Sequence, residues 1–366
     1  MSGLELYLIF DDKSKFWPLD ACHIAELEIL GRPIYKHLVN SVLSFTRLKK
    51  IIVFGSKSSY NRDKISGELG EYGVDVDFED IKDITYPSII EVVNSIRDIN
   101  NDMLISLAYD PAVILAQFPW RCIENKSTRS IGYTERLLLY VKSGEEIGGS
   151  IKKIGVELIN LPRYPWELLT FSNILAKEKI TKRKISKTAR ISGNVSIIGN
   201  CWIDDDVKIF ENAVIKGPCY IGKNTVIGNN VLIRETIIER DSIIGANMEV
   251  ARSWLGIHTE THSGYIGDTI FDFHVHVGAG FITGNVRLDR RTIKVRWQGE
   301  KIDSGMNKLG PIIGSKTEVG IHSGTMPGVL IGKNVVIGPG TLVFENIPDN
   351  TIIYARQEIV KKKRVN

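Results

Sequence analysis

ISKTARISGNVSIIGNCWIDDDVKIFENAVIKGPCYIGKNTVIGNNVLI (185–233) places isoleucine at 185, 191, 197, 203, 209, 215, 221, 227 and 233. Isoleucine is about one residue in seven of the whole chain, so a strict period of six held this long is not chance. Four residues after each isoleucine stands a smaller or β-branched one, as in Ala189, Val195, Cys201, Val207, Ala213, Cys219, Thr225 and Val231. Between them lie GN, DD, KN and NN pairs, which tolerate tight turns and left-handed backbone. A unit this short buries no core alone and must stack on its own copies, as solenoids do. Three units close a triangular coil of 18 residues, so Ile191, Ile209 and Ile227 are expected along one interior line. Cys201 and Cys219 are also one coil apart. They read as small buried hydrophobes at one strand spacing, roughly 4.8 Å.

The period blurs over 238–282 and returns at Ile313, Val319, Thr325, Ile331, Ile337 and Val343, for about seven coils in all. Residues 343–353 leave it again. An irregular excursion, VRLDRRTIKVRWQGEKIDSGMNKLG, interrupts the array between 285 and 310. Insertions of this kind commonly mark the binding face of a solenoid.

Residues 1–165 have another rhythm. Short apolar runs at 4–10 (LELYLIF), 49–54 (KKIIVF), 73–78 (GVDVDF) and 103–108 (MLISLA) alternate with helical segments at 33–45, 59–70 and 87–98. That spacing predicts an open α/β domain with a parallel sheet, with further strands from 131–162 near its edge. YPWELLTFSNILAKE (164–178) reads as a linking helix, followed by the basic KITKRK.

The chain has 366 residues, 43% hydrophobic and 25% charged, with a net charge of +4. The length suits two domains or one domain plus a repeat array, and the composition excludes wholesale disorder, collagen and a disulfide-stapled scaffold. Four basic residues are concentrated in one tail, Lys361, Lys362, Lys363 and Arg364. The balance therefore suits anionic metabolites and argues against nucleic acid as a partner. No run of 18 apolar residues predicts a membrane span. The start, MSGLELYLIFDDKSKFWPLD, reads as a first strand rather than a signal peptide. Cys22, Cys122, Cys201 and Cys219 form no CxxC, which points to a reducing cytoplasm.

The hexapeptide array resembles the left-handed parallel β-helix of the hexapeptide-repeat acyltransferases, which implies a trimer with active sites in grooves between coils. With the front domain included, nearly the whole chain resembles the bifunctional sugar-1-phosphate nucleotidylyltransferase/amino-sugar-1-phosphate N-acetyltransferase family, particularly its archaeal members. WPLD (17–20), AELEILGRPIYKHL (25–38) and YPWELL (164–169) hold recognisable places of that family. The resemblance divides the chain into an α/β, Rossmann-like nucleotidylyltransferase-like domain (1–163) and a linker helix with basic linker (164–184). A left-handed β-helix (185–353) with its inserted loop (285–310) follows, then a basic tail (354–366).

The front domain departs from the family where nucleotidyl transfer is carried out. The family's glycine-rich loop ending in Gly-Thr-Arg is replaced by IFDDKSKFWPL (9–19), where Asp11 and Asp12 repel a triphosphate. Glu26 stands near the expected lysine, and Asp110 in AYDPAV is the candidate for the family's first metal-binding aspartate. This half is therefore expected to be inactive, with no metal required.

Five of the seven histidines lie between 258 and 322: His258, His262, His274, His276 and His322. For zinc, a strand would place His274 and His276 on one face, whereas His258 with His262 lacks a nearby cysteine or carboxylate scaffold, and no metal site is expected. His262 stands in THSGYIGDTIFDFHVHVGAGFITGN, matching the family's His-x-x-Tyr-x-Gly-Asp, Gly-Ala-Gly and Asn. An amine attacks a thioester only when neutral, so a histidine can serve as general base and a nearby donor can hold the oxyanion. The resemblance implies that His262, Tyr265 and Asn285 are catalytic, and that Arg234, Glu249 and Arg252 contact the sugar phosphate. His276, Ala279, Ile321, Arg290 and Arg291 are the expected contacts to acetyl-CoA. Three departures stand nearby: Ala251 for a lysine of bacterial members, His276 for an asparagine, and Phe281 for a threonine. A groove filled by Trp254 or Phe281 would oppose catalysis.

The expectation is a trimeric N-acetyltransferase acting on glucosamine or galactosamine 1-phosphate. The alternatives are a non-catalytic sugar-nucleotide-binding or regulatory subunit paired with an active paralogue, and a nucleotidylyltransferase with an unusual loop.

Overall fold

The computed structural model describes residues 4–10, 16–19, 23–55, 60–80, 103–108, 138–141, 162–362 and 364. Asp110, Asp11, Asp12, Cys22, Cys122 and the expected helix over 87–98 lie outside the described residues. The chain divides into two units, one of Met1–Phe16 with Ala21–Arg163 and one of Trp17–Asp20 with Tyr164–Asn366. The linking helix thus belongs to the second unit.

In the first unit, β1 (Leu4–Phe10), β2 (Leu48–Gly55), β3 (Asp75–Asp80), β4 (Met103–Leu107) and β5 (Leu138–Val141) form one sheet in the order β3-β2-β1-β4-β5. The first four strands run parallel, and β5 pairs antiparallel with β4 at the edge. Six of the seven residues of β1 are buried, as a strand with both faces covered requires. Helix α1 (Ile34–Leu43) turns Ile34, Leu38, Val39 and Val42 inward at helical spacing. Helix α2 (Arg62–Gly70) starts at Asn61, whose side chain accepts the Lys64 N–H.

The second unit opens with α3 (Glu167–Lys179) and continues as a three-sided parallel β-helix. We call its faces 1, 2 and 3 in chain order, with eight, nine and eight strands. The array therefore has about eight coils rather than the expected seven, because Ile347 and the Ile352–Ile353 strand extend it past residue 343. Ile191, Ile209 and Ile227 are register partners on face 2, as the period of six requires. Cys201 pairs with Cys219 on face 1; both are buried and neither is in a disulfide. Burial pushes the Cys219 thiol up to about 12, so it behaves as a small hydrophobe.

The blurred stretch is regular in space. Inward residues on face 1 follow one another as Ile203, Ile221, Ile238, Leu255 and Phe271, in successive coils of 18, 17, 17 and 16 residues. The first shortening falls at the corner from face 3 to face 1, where five residues separate Ile233 from Ile238, Val250 from Leu255 and Ile266 from Phe271. At each of these corners a hydroxyl replaces the small apolar residue and donates to the carbonyl two residues back. The bonds are Thr236 to Arg234, Ser253 to Ala251 and Thr269 to Gly267, at 2.8–2.9 Å. A second shortening falls at the corner from face 2 to face 3, between Thr261 and Ile266, and His262 occupies it. Gly264 makes that tight corner possible: its φ is +136°, and a Cβ there would meet the Phe281 carbonyl oxygen at 2.0 Å.

The excursion is more ordered than its sequence indicates. Lys294–Trp297 and Glu300–Asp303 pair as an antiparallel hairpin, with Gln298 and Gly299 at positive φ in the turn. Ile293, Val295 and Leu309 bury its root, and Trp297 packs edge-on against Tyr164 and Trp166.

Candidate active site

Face 3 carries the predicted residues on consecutive coils. Leu232, Glu249, Tyr265 and Ile282 are successive outward positions, joined by register. Arg234, one step further along its strand, forms an ion pair with Glu249. Its Nε is buried without a hydrogen-bond partner, while the side chain as a whole is part-exposed.

At the corner leaving face 3, Arg252 and Asp268 both adopt left-handed backbone on adjacent coils. Arg252 Nε and Nη2 bind the two Asp268 oxygens at 2.7 Å each, a planar bidentate pair. Asn285, at the neck of the insertion, donates from Nδ2 to Asp268 Oδ2 at 2.5 Å and to Tyr265 Oη at 3.1 Å. Its own carbonyl accepts the Leu309 N–H at 2.9 Å, which closes the inserted loop and fixes the asparagine. The Tyr265 oxygen thus accepts from Asn285, and its own proton remains to be donated.

Gly267 completes the cluster by having no side chain. A Cβ there would lie 2.3 Å from Tyr265 Oη and 2.7 Å from Asn285 Nδ2.

His262 is exposed at the opposite corner of the same coil, three residues before Tyr265. Its ring lies 5.7 Å from that of His276, which projects from face 2 and meets Glu318 Oε2 at 3.0 Å through Nδ1. Ala279 and Ile321 stand on successive coils of this corner, where the Ala279 carbonyl accepts the His322 N–H. Arg290 and Arg291 sit apart, exposed on the turn that opens the insertion. Asp289 takes Arg287 as an ion pair and caps the Arg291 N–H. The Arg290 and Arg291 side chains are both exposed, and the Arg291 charge also acts on Asp289.

One expectation is corrected. His274 and His276 do not share a strand face. The strand is only His276–Val277, and His274 turns the corner before it, stacked on His258 at 4.5 Å. Among the described residues no group of three or more His, Cys, Asp or Glu is disposed to hold a metal ion. Nor does an aromatic side chain fill the groove: Phe281 points into the β-helix core, and Trp254 is buried on face 1.

Sequence reasoning missed Asp268 and Glu318 as participants. Asp268 was visible in the Gly-Asp pair, and it joins Arg252 to Asn285. Glu318 left no local signal, because 42 residues separate it from His276.

Residues 200–235 match the family model for the bacterial transferase hexapeptide (six repeats). The chain is 30% identical to the bifunctional protein GlmU of Methanococcus maripaludis strain C5, over 80% of this chain and 76% of that protein. This chain belongs to the GlmU family. A second relative, the bifunctional protein GlmU of Methanococcus vannielii, is 26% identical over 99% of this chain and 98% of its own. A bifunctional sugar-1-phosphate nucleotidylyltransferase/acetyltransferase of Sulfurisphaera tokodaii is 33% identical over 50% of this chain and 45% of its own. The archaeal resemblance read from the motifs thus holds across both units, and these relatives are transferases. The fold is the expected pairing of a Rossmann-like unit with a left-handed hexapeptide β-helix.

Proposed function

We propose that this GlmU-family chain is an N-acetyltransferase that moves acetyl from acetyl-CoA to a hexosamine 1-phosphate and works as a homotrimer. One observation carries the reading. Tyr265 accepts a hydrogen bond from Asn285 Nδ2, which leaves its hydroxyl proton for a ligand, and it sits on the same coil as His262.

In this mechanism His262 removes a proton from the sugar amine as its nitrogen bonds to the thioester carbon. The oxyanion that forms collapses, the carbon–sulfur bond breaks, and CoA leaves as the thiolate. The proton passes from His262 to that thiolate or to water. Tyr265 donates to a phosphate or carbonyl oxygen, and the part-exposed Arg234 guanidinium, steadied by Glu249, faces the sugar phosphate. Ala279, Ile321 and His276 line the corner offered to pantetheine, while the exposed Arg290 and Arg291 suit the anionic end of CoA.

The nucleotidyl-transfer half is proposed to be inactive. Glu26 supports this reading, because burial raises its carboxyl pKa and it accepts the Asn61 N–H. A buried carboxyl in that place supplies no cation to a leaving pyrophosphate.

A second reading, a non-catalytic subunit that binds sugar nucleotides or pairs with an active paralogue, draws support from Arg252. That guanidinium is already committed to Asp268 and does not reach out to a phosphate.

The test is thiol release from acetyl-CoA with glucosamine 1-phosphate and, separately, galactosamine 1-phosphate. Turnover that falls by roughly a hundredfold or more in His262→Ala supports the base. No turnover with either sugar from folded, oligomeric protein would favour the binding subunit.

A further inference from the structure

Glu260, His276 and Glu318 are register partners on three successive coils and project outward from face 2. His276 lies between the two carboxylates, and its Nδ1 is 3.0 Å from Glu318 Oε2. On its other side is His262, ring to ring at 5.7 Å with a tilt of 39°. An ionised carboxylate only accepts hydrogen bonds, so the ring nitrogen facing Glu318 carries the hydrogen. In the neutral ring that leaves Nε2 with its lone pair. An imidazole without such a partner presents either tautomer; Glu318 selects one.

We propose that Glu318 is a positioning residue for His262, acting through His276. The proposal rests on His262 being the general base. As His262 takes the proton from the attacking amine it becomes an imidazolium. His276 Nε2, fixed as an acceptor, receives the N–H of that cation directly or through one water. The proton stays on His262 until the CoA thiolate or solvent takes it, so no further oxidant, reductant or acid is needed.

The pair has little value for stability. The His276 and Glu318 side chains are 41% and 59% exposed, and ion pairs this accessible contribute little. Removing Glu318 is therefore expected to leave the fold intact and to act on turnover alone. The role also gives His276 a use that the asparagine usual in this family does not have, since an amide in its place makes no imidazole pair.

A double-mutant cycle tests this in the full-length protein, with thiol release as the readout. Glu318→Ala is expected to lower kcat on the order of tenfold and to leave KM for both substrates within about twofold. Glu318→Gln, which keeps an acceptor oxygen, retains more activity than the alanine variant. In a His276→Asn background, Glu318→Ala changes kcat no further, because the residue through which it acts is gone. Equal losses in both backgrounds, or full activity of Glu318→Ala in a wild-type background that depends on His262, overturn the proposal while the acetyltransferase reading stands. A wild type that releases no thiol with any hexosamine 1-phosphate overturns that reading and this one together.

Discussion

Gly267 keeps open the space in which Tyr265 and Asn285 meet. A methyl group there collides with the ends of two side chains rather than with backbone, so the chain can accept it by turning those side chains aside. Gly267→Ala is therefore expected to cost roughly tenfold or more in acetyl transfer, through misplacement of the donor. Its stability should change by less than about 1 kcal/mol. Kinetics and thermal unfolding of the same preparation check both halves; a destabilised but fully active variant would contradict the geometry. His262, Tyr265 and Asn285 were legible through the resemblance of their motif to the family's His-x-x-Tyr-x-Gly-Asp and Asn. The Arg234–Glu249 and Arg252–Asp268 pairs were not, since each joins positions 15 or 16 apart that only the coil brings together.

The corners are the elements that tune the array. Asp206, Asn224, Asp241, His258, His274, Lys316, Asn334 and Asn350 form one column of left-handed residues between faces 1 and 2. Asn and Asp are the natural occupants of such a column, and His258, His274 and Lys316 are its exceptions. The two histidine rings stack at 4.5 Å and 9°, with His258 Nε2 at 3.9 Å from Asp241 Oδ2. Burial, then His258, then Lys316 lower the proton affinity of His274. Below about pH 6.5 the unfolded chain thus binds more protons at this site than the folded one. The contribution is complete above that pH and is lost as the pH falls through it. His274→Asn, which suits the same backbone, is expected to raise the melting temperature relative to wild type at pH 5.5 and to match it at pH 8. Scanning fluorimetry at the two values decides it, and an equal shift at both would remove the protonation argument.

At the scale of the whole β-helix, the three faces differ in what they leave open. Outward residues of face 1, among them Tyr220, Ile237, Trp254 and Ile270, are buried within this chain. Faces 2 and 3 expose aliphatic side chains such as Ile243, Val336, Ile282 and Leu342 on either side of their charged positions. That surface fits a second copy of the chain, with the polar bands of faces 2 and 3 left as the lining of a shared groove. Ile282, which is 56% exposed beside Tyr265, tests the fit. Ile282→Asp is expected to convert a trimer into monomers in light scattering coupled to size exclusion, with the monomer still folded. A variant that remains trimeric would place the contact elsewhere. Among the described residues no helix is long and apolar enough to cross a membrane.

By itself the sequence determined the β-helix, because a period of six in large aliphatics has only one way to bury them: stacking in register. It also determined the α/β character of the first unit, and its resemblance to the family named the residues proposed for the site. Only the tertiary structure decided the rest. The stretch where the period failed is the stretch that carries the site, since shortened corners bring Arg252, Asp268 and His262 to the edges of face 3. Periodicity cannot report a residue removed from a turn and offset by a Thr or Ser hydroxyl. The insertion likewise hides Glu318 from His276 in the chain while the coil makes them neighbours. Contacts between coils depend on register, and register is a property of the stacked whole.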